Sequence, residues 1–101
     1  LSNLSFEGII IHDMGMAIDV NPALEKISGY SRDEIVGHNI LEIFVPDEYK
    51  PVVMDEIVKN RTTPYQIEGR HKKGHPVSIE IESRNITINN KKVRVTAIRD
   101  L

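Results

Sequence analysis

The stretch Val77-Ser78-Ile79-Glu80-Ile81-Glu82 alternates strictly between apolar and polar residues. Neighbouring side chains of a β-strand point to opposite faces, so the pattern predicts a half-buried antiparallel strand with its valine and isoleucines turned towards a core. A turn at Lys72-Lys73-Gly74 and the alternation from Tyr65 to Gly69 predict a partner strand before it. Asn89-Asn90-Lys91 predicts a turn into a last strand, Val93 to Arg99. The second half of the chain should therefore form three antiparallel strands.

The first half of the chain begins with two more strand signals. Ile9 to Ile11 is a β-branched run, and Ala17 to Val20 is again strand-like. The residues between them, His12-Asp13-Met14-Gly15, are typical of a turn. Together the two segments predict a hairpin.

Helix signals occupy the middle of the chain. Asn21-Pro22 predicts the start of a short helix, because asparagine is a common N-cap and proline fits the first helical position. Ser31-Arg32-Asp33-Glu34 fits a capping box at the start of a second helix. Ile40 to Phe44 is a short apolar turn, and Pro46-Asp47 opens the longest predicted helix, which runs to about Lys59.

The order of these elements predicts an α+β fold. We expect a five-stranded antiparallel sheet with short helices and one longer helix on one face. Residues 1–101 should form a single domain, and the ending Arg99-Asp100-Leu101 carries no stop signal of its own. We therefore expect a segment excised from a longer protein.

The composition excludes several classes of protein. A formal net charge of -2 and an isoelectric point near 6.1 give no basic surface for nucleic acid or for an anionic membrane. Cysteine does not occur, which excludes disulfides, thiolate nucleophiles and cysteine-bound metals. The longest apolar runs are only a few residues, too short for membrane insertion. We expect a cytoplasmic domain without a nucleic-acid partner.

Several short motifs resemble the PAS family of sensory domains, and they occur in the order typical of that family. They are Glu7-Gly8-Ile9-Ile10, Asp13-x-Gly15, Asn21-Pro22-Ala23, Gly29-Tyr30-Ser31-x-x-Glu34-Ile35-x-Gly37, Lys73-Gly74 and Arg99-Asp100-Leu101. Each motif alone is weak, whereas the ordered set extends over essentially the whole chain.

The resemblance implies a sheet cupped over short helices that together enclose a pocket. It also implies a non-catalytic sensory domain of a bacterial or archaeal signalling protein, such as a two-component system. In that family the domain ends at a motif like Arg99-Asp100-Leu101. Arg99 and Asp100 would then relay the signal to a covalently linked output domain, such as a histidine kinase or a cyclic-dinucleotide enzyme.

The cofactors of the family can be tested position by position. Ile40 stands where the blue-light flavin branch has its reactive cysteine, and Gly69, Ile79 and Ile98 stand where that branch has amides for the flavin ring. Val53 stands at the position of the histidine that holds iron in the haem-sensing branches, and valine cannot bind iron. We therefore expect neither flavin nor haem, and a colourless protein.

What remains is a pocket of apolar character that could hold an unidentified small ligand. Two interpretations stay open: the side chains simply fill a core, or they surround a ligand together with a few polar groups. Ile27 and Val77 are also candidates for the lining. The main candidates are Ile11, Ile40, Phe44, Val53, Ile57, Tyr65, Ile67, Ile79, Ile81, Thr96 and Ile98.

The last strand can be oriented in two ways. Its apolar pattern alone would turn Val93, Val95 and Ala97 inward. Alignment to the PAS family instead turns Arg94, Thr96 and Ile98 inward. In the family register Val93, Val95 and Ala97 form an apolar stripe on the outer face of the sheet. Such a stripe usually needs a cover, so we expect it to be the contact face of a homodimer.

The remaining polar residues give little support for an enzyme or a metal site. His12, His38, His71 and His75 all fall at predicted turns or strand ends, where surface positions are expected. No paired acid and base, nucleophile elbow or glycine-rich phosphate loop is found. The alternative to a sensor is thus a ligand-free structural dimerisation module.

Overall fold

The computed structural model describes residues 7–101, which form a five-stranded antiparallel sheet of order β2-β1-β5-β4-β3. Its strands are β1 (Gly8–Asp13), β2 (Met16–Val20), β3 (Tyr65–Arg70), β4 (Pro76–Ile88) and β5 (Lys91–Asp100). The helices are α1 (Pro22–Ser28), α2 (Arg32–Ile35), α3 (Ile40–Ile43) and α4 (Lys50–Val58). This confirms the predicted α+β class.

The strand that contains Val77–Glu82 is the longest of the sheet and joins its two halves. β4 pairs with β3 through Ile67 and Ile79, and with β5 through Ile81 and Ile98. Ile79 and Ile81 are buried, whereas Glu80 and Glu82 lie on the other face. The predicted strand direction and register are therefore confirmed.

The N-terminal hairpin joins the sheet because β1 pairs with β5, with Ile10 opposite Thr96. Asn21 then ties this hairpin to the helices. Its Oδ1 accepts hydrogen bonds from the backbone N–H of Ile9 (2.8 Å) and of Leu24 (3.1 Å). The predicted N-cap of α1 thus also fixes the position of that helix on β1.

The longest helix is shorter than the sequence predicts. A 3-10 turn, Asp47–Tyr49, precedes α4, which begins at Lys50 rather than at Pro46. The reason is Pro51, which has no N–H and is tolerated only in the first turn of a helix. In a continuous helix from Pro46 it would lie in the interior, where its ring would clash with the carbonyl of Asp47.

The core lies between the helices and the inner face of the sheet, with Leu24, Ile35, Phe44 and Ile79 fully buried. Within residues 7–101, no helix is long and apolar enough to cross a membrane.

Candidate functional site

A small cavity lies inside this core, between the inner face of the sheet and helices α3 and α4. Its volume is about 40 Å³. Its apolar lining consists of Ile10, Ile40, Leu41, Phe44, Val45, Val53, Ile57, Tyr65, Ile67, Ile79, Ile81 and Ile98. Its polar lining consists of His12, Ser83, Arg94 and Thr96.

The structure brings together every main pocket candidate of the sequence except Ile11. Ile11 lies opposite Val95 on β1 and is half-buried, and Ile10 and His12 line the cavity instead. Placing Ile11 in the pocket was wrong because β1 continues to Asp13, so alternation turns Ile10 and His12 inward. Ile27 and Val77 pack against the core but do not line the cavity.

The last strand adopts the family register, not the one that apolar pattern suggests. Arg94, Thr96 and Ile98 are buried and line the cavity. The outward residues are less exposed than expected, since Val93 is 5% exposed and Val95 and Ala97 are half-buried. Four long side chains line the shallow depression around Val95 and Ala97: Glu7, Glu82, Arg84 and Arg99.

Three polar side chains form a hydrogen-bonded row at one end of the cavity. The backbone N–H of Gly15 donates to His12 Nδ1 at 2.9 Å, so the ring proton lies on Nε2. That nitrogen donates to Thr96 Oγ1 at 3.2 Å, and the Thr96 and Ser83 hydroxyls are 2.7 Å apart. The row satisfies groups that would otherwise be costly to bury.

His12 is neutral in this environment. Burial, assisted by the positive charge of Arg94, lowers the pKa of His12 from 6.5 to about 4. The sequence analysis placed His12 at a surface turn, and that was wrong because it is the fifth residue of β1. Continued alternation from Ile10 was the signal that could have found it.

Arg94 faces the cavity, as the family register implies, although it was not among the pocket candidates. It is 5% exposed, yet it contacts no carboxylate among residues 7–101. Nη1 donates to Asn85 Oδ1 at 3.0 Å, and Nη2 donates to the carbonyl oxygen of Arg61 at 2.8 Å. Its Nε–H is buried and has no hydrogen-bond partner within residues 7–101. Burial lowers the pKa of Arg94.

A groove on the surface meets the cavity at this polar end. The groove has a volume of about 450 Å³ and shares His12 and Arg94 with the cavity. The rest of its lining is Asp13, Met14, Asn60, Asn85, Ile86, Thr87, Lys92 and Val93. The side chains of His12 and Arg94 therefore lie between the cavity and the groove.

The proposed relay residues lie at the other end of β5. Arg99 forms ion pairs with Glu7, with Glu80 at 3.0 Å and with Glu82 at 2.7 Å. Asp100 is exposed and lies opposite Ile79 in the ladder. The two residues connect the end of β5 to β4 and to the start of β1.

The other histidines form no metal site within the described part of the chain. His71 and His75 stack with ring centroids 4.3 Å apart across the β3–β4 turn. No group of three His, Cys, Asp or Glu side chains in residues 7–101 is arranged to hold a metal ion.

Known proteins of similar sequence and structure indicate the family. The family model described as PAS domain matches residues 7–101. The oxygen sensor protein DosP of Escherichia coli (strain K12) is 34% identical over 53 residues. That match covers 52% of this chain and only 6% of DosP.

Solved structures share the fold at low sequence identity. The PAS domain of an HTR-like protein from Haloarcula marismortui superposes with a TM-score of 0.81 at 19% identity, over 96% of this chain and 83% of that one. A PAS domain from Colwellia psychrerythraea gives a TM-score of 0.79 at 24% identity, over 94% and 86%. A domain of a sensory box sensor histidine kinase/response regulator from Geobacter sulfurreducens gives 0.70 at 24% identity, over 93% and 82%.

The family match extends over nearly the whole chain, and the sheet order, short helices and internal cavity agree with it. The chain belongs to the PAS domain family, whose members are generally sensory, non-catalytic modules of signalling proteins.

Proposed function

We propose that this domain perceives a small molecule in the cavity and relays the event through β5 to a linked output domain, such as a histidine kinase or a cyclic-dinucleotide enzyme. The observation that carries the proposal is the position of β5. This one strand supplies Arg94, Thr96 and Ile98 to the cavity and ends at Arg99 and Asp100. A ligand that displaces the inner side chains of β5 thereby acts on the residues that lead out of the domain.

The ion pairs of Arg99 give this relay a mechanical basis. They fasten the end of β5 to Glu80 and Glu82 of β4 and to Glu7 before β1. A shift of β5 relative to β4 would change these contacts, and partly exposed ion pairs of this kind cost little to rearrange.

We infer that the small molecule is neither flavin nor haem, although DosP is named an oxygen sensor. Gly69 stands where a flavin-binding amide is expected, and a Cβ added there would lie 2.5 Å from Phe44 Cζ. Of the described histidines only His12 lines the cavity, and hydrogen bonds engage both of its ring nitrogens. A cavity of about 40 Å³ is also far smaller than either cofactor.

We also propose that the domain works as a homodimer whose subunits meet through the outer face of the sheet. Val95 and Ala97 are half-buried there, next to Ile9 and Ile11 of β1. Covering apolar surface contributes about 25 cal/mol per Å². These side chains are only partly exposed and association costs about 4–15 kcal/mol, so a weak dimer is expected.

A ligand-free structural dimerisation module is the second candidate, and the size of the cavity favours it. Pockets for drug-sized ligands measure about 300–1,000 Å³, whereas this cavity measures about 40 Å³. A water needs about 10–15 Å³ of such space, so the cavity holds about three waters or a ligand of similar size. A sensor with this interior must therefore recognise a very small molecule.

Native mass spectrometry of the gently purified chain separates the two candidates. We expect a bound small molecule in the parent and in Ala97→Val, which changes the outer face. The molecule should be absent from Ile98→Phe, which fills the cavity, provided that circular dichroism shows this variant folded. A parent mass that always equals the bare chain, or an adduct that survives Ile98→Phe, would count against ligand perception.

A further inference from the structure

Arg94 presents a positive charge at the boundary between the cavity and the groove, and no carboxylate of residues 7–101 forms an ion pair with it. Its side chain is 5% exposed, and both of its assigned hydrogen bonds go to neutral acceptors, the Asn85 amide oxygen and the Arg61 carbonyl. A buried charge is normally paired, because removing it from water is costly. Burial of the Arg94 guanidinium therefore costs desolvation free energy that no direct carboxylate contact within residues 7–101 offsets.

The acidic groups of this region form their ion pairs with other cations. The charge of Glu56 partly opposes the lowering of the Arg94 pKa by burial, but its ion pair is with Arg61 at 2.8 Å. Asp13 pairs with Lys91 at 3.3 Å. Neither carboxylate forms a hydrogen bond with Arg94 within residues 7–101. The groove also contains Lys92, whose positive charge favours the approach of an anion.

The orphan Nε–H of Arg94 and the apolar wall together define the chemistry of an occupant. A guanidinium offers donors in a planar fork that fits a carboxylate. Beyond Arg94 the cavity is lined mainly by aliphatic side chains, such as Ile81 and Ile98. Its volume limits the occupant to a few non-hydrogen atoms.

We infer that the ligand of this domain is a small carboxylate anion of two or three carbons, whose carboxylate binds the Nε–H of Arg94 and whose alkyl end enters the cavity. This inference rests on the proposed sensory function and specifies the ligand class of the same site. Thr96 and Ser83 lie beside this position and hold each other's hydroxyls at 2.7 Å, so they shape the polar end without neutralising the charge. An occupant here contacts β5 directly.

The experiment titrates the chain with sodium acetate and, as a matched neutral probe, with acetamide, at constant ionic strength set with sodium chloride. The Nε–H resonance of Arg94, assigned by NMR, reports on the site in the parent protein. We expect the chemical shift of this resonance to change with acetate until it saturates. The affinity for acetamide should be at least about tenfold lower, because hydrogen bonds to a charged acceptor are stronger than those to a neutral one. An acetate effect no larger than that of sodium chloride would overturn the inference.

Variants test the role of the side chain. Arg94→Gln should weaken acetate binding at least about tenfold, Arg94→Lys should retain part of it, and Arg84→Gln, on an exposed residue of β4, should leave it unchanged. If Arg94→Gln does not fold, the parent titration alone decides. Saturable binding of acetamide but not acetate, detected at the backbone amides of Ile79 and Ile98, would refute the anion and keep ligand perception. If neither probe binds and native mass spectrometry finds no ligand, both proposals fail.

Discussion

The two sides of β5 invert the usual distribution of residues in a half-buried strand. Its inner side carries Arg94 and Thr96 into the cavity, and its outer side carries Val95 and Ala97. The adjacent strand β4 has the usual distribution, with apolar Ile79 turned inward and charged Glu80 turned outward. Departures from the usual order of polar and apolar residues in a strand are expected where the strand contributes to a binding site or to an interface.

Burial has a different origin on each of the two sides of β5. The inner side is buried by the helices of the same chain, so a change there should cost folding stability. The outer side is only partly covered, by long charged side chains such as Glu82 and Arg99. A change there should cost association with a partner and leave stability nearly intact.

The largest effect is expected at Ile79, which is fully buried on the inner face. Ile79→Asp buries a carboxylate without a partner, at a cost of several kcal/mol against a typical total stability of about 5–15 kcal/mol. We expect the variant to be unfolded or nearly so in a thermal melt followed by circular dichroism. Glu80→Ala should lower stability by no more than about 1 kcal/mol, because it removes only a half-exposed ion pair. Equal melting temperatures would contradict the difference between the faces.

The second effect concerns His12 and depends on pH. Its pKa is about 4 in the folded state and 6.5 when unfolded, so the unfolded chain binds more protons between these values. The stability from neutral His12 is complete above pH 6.5 and is lost as the pH falls to about 4, a loss of about 3 kcal/mol. Urea unfolding measured across this pH range gives the free energy of unfolding as a function of pH. The slope of that dependence should be smaller in His12→Gln than in the parent and unchanged in His38→Gln, an exposed control. The same slope in both variants would show that His12 is not buried as a neutral ring.

The third effect tests how closely the inner face is packed. A methyl group at Gly69 would lie 2.5 Å from Phe44 Cζ, and Phe44 is itself only 1% exposed. Gly69→Ala should therefore cost about 1–3 kcal/mol in the free energy of unfolding. Glu68→Ala, on the exposed side of the same strand, should stay within about 0.5 kcal/mol of the parent. A neutral Gly69→Ala would mean that Phe44 has room to move and that the cavity can enlarge.

The smallest effect on stability is expected at Val95. Val95→Lys should change the free energy of unfolding by less than about 0.5 kcal/mol and convert a weak dimer into a monomer in sedimentation experiments. Gln66→Lys adds the same charge on the outer side of the edge strand β3 and should leave association unchanged. A parent that is already monomeric at high concentration would refute the dimer, and unfolding of Val95→Lys would contradict the partial exposure of the outer side.

The sequence predicts most of the fold because its signals are local. Alternation in β4, the cap at Asn21 and the capping box at Ser31 each depend on residues within a few positions. The motifs that resemble the family implied the observed register of β5 and alternation alone implied the inverse, so the sequence left the two registers open. Most of the apolar cavity lining could be predicted from the same local signals.

The polar end of the cavity could be predicted only in part, through Thr96, because it is assembled from distant residues. His12 meets Thr96, which is 84 positions away, and Arg94 bonds the carbonyl of Arg61. A histidine beside Asp13 and Gly15 has the local signature of a turn, and an arginine in a strand normally indicates a solvent-facing position. Only the pairing of β1 with β5 buries both residues together.

The pairing of β1 with β5 also has a mechanical consequence. Gly8 lies opposite Ile98, and the ion pair between Glu7 and Arg99 closes this end of the ladder. Glu7 and Leu101 therefore lie at the same end of this strand pair. A tilt of β5 against β1 that keeps the register would change the distance between these two residues, whereas a slip by one residue would turn every side chain of β5 to the opposite face.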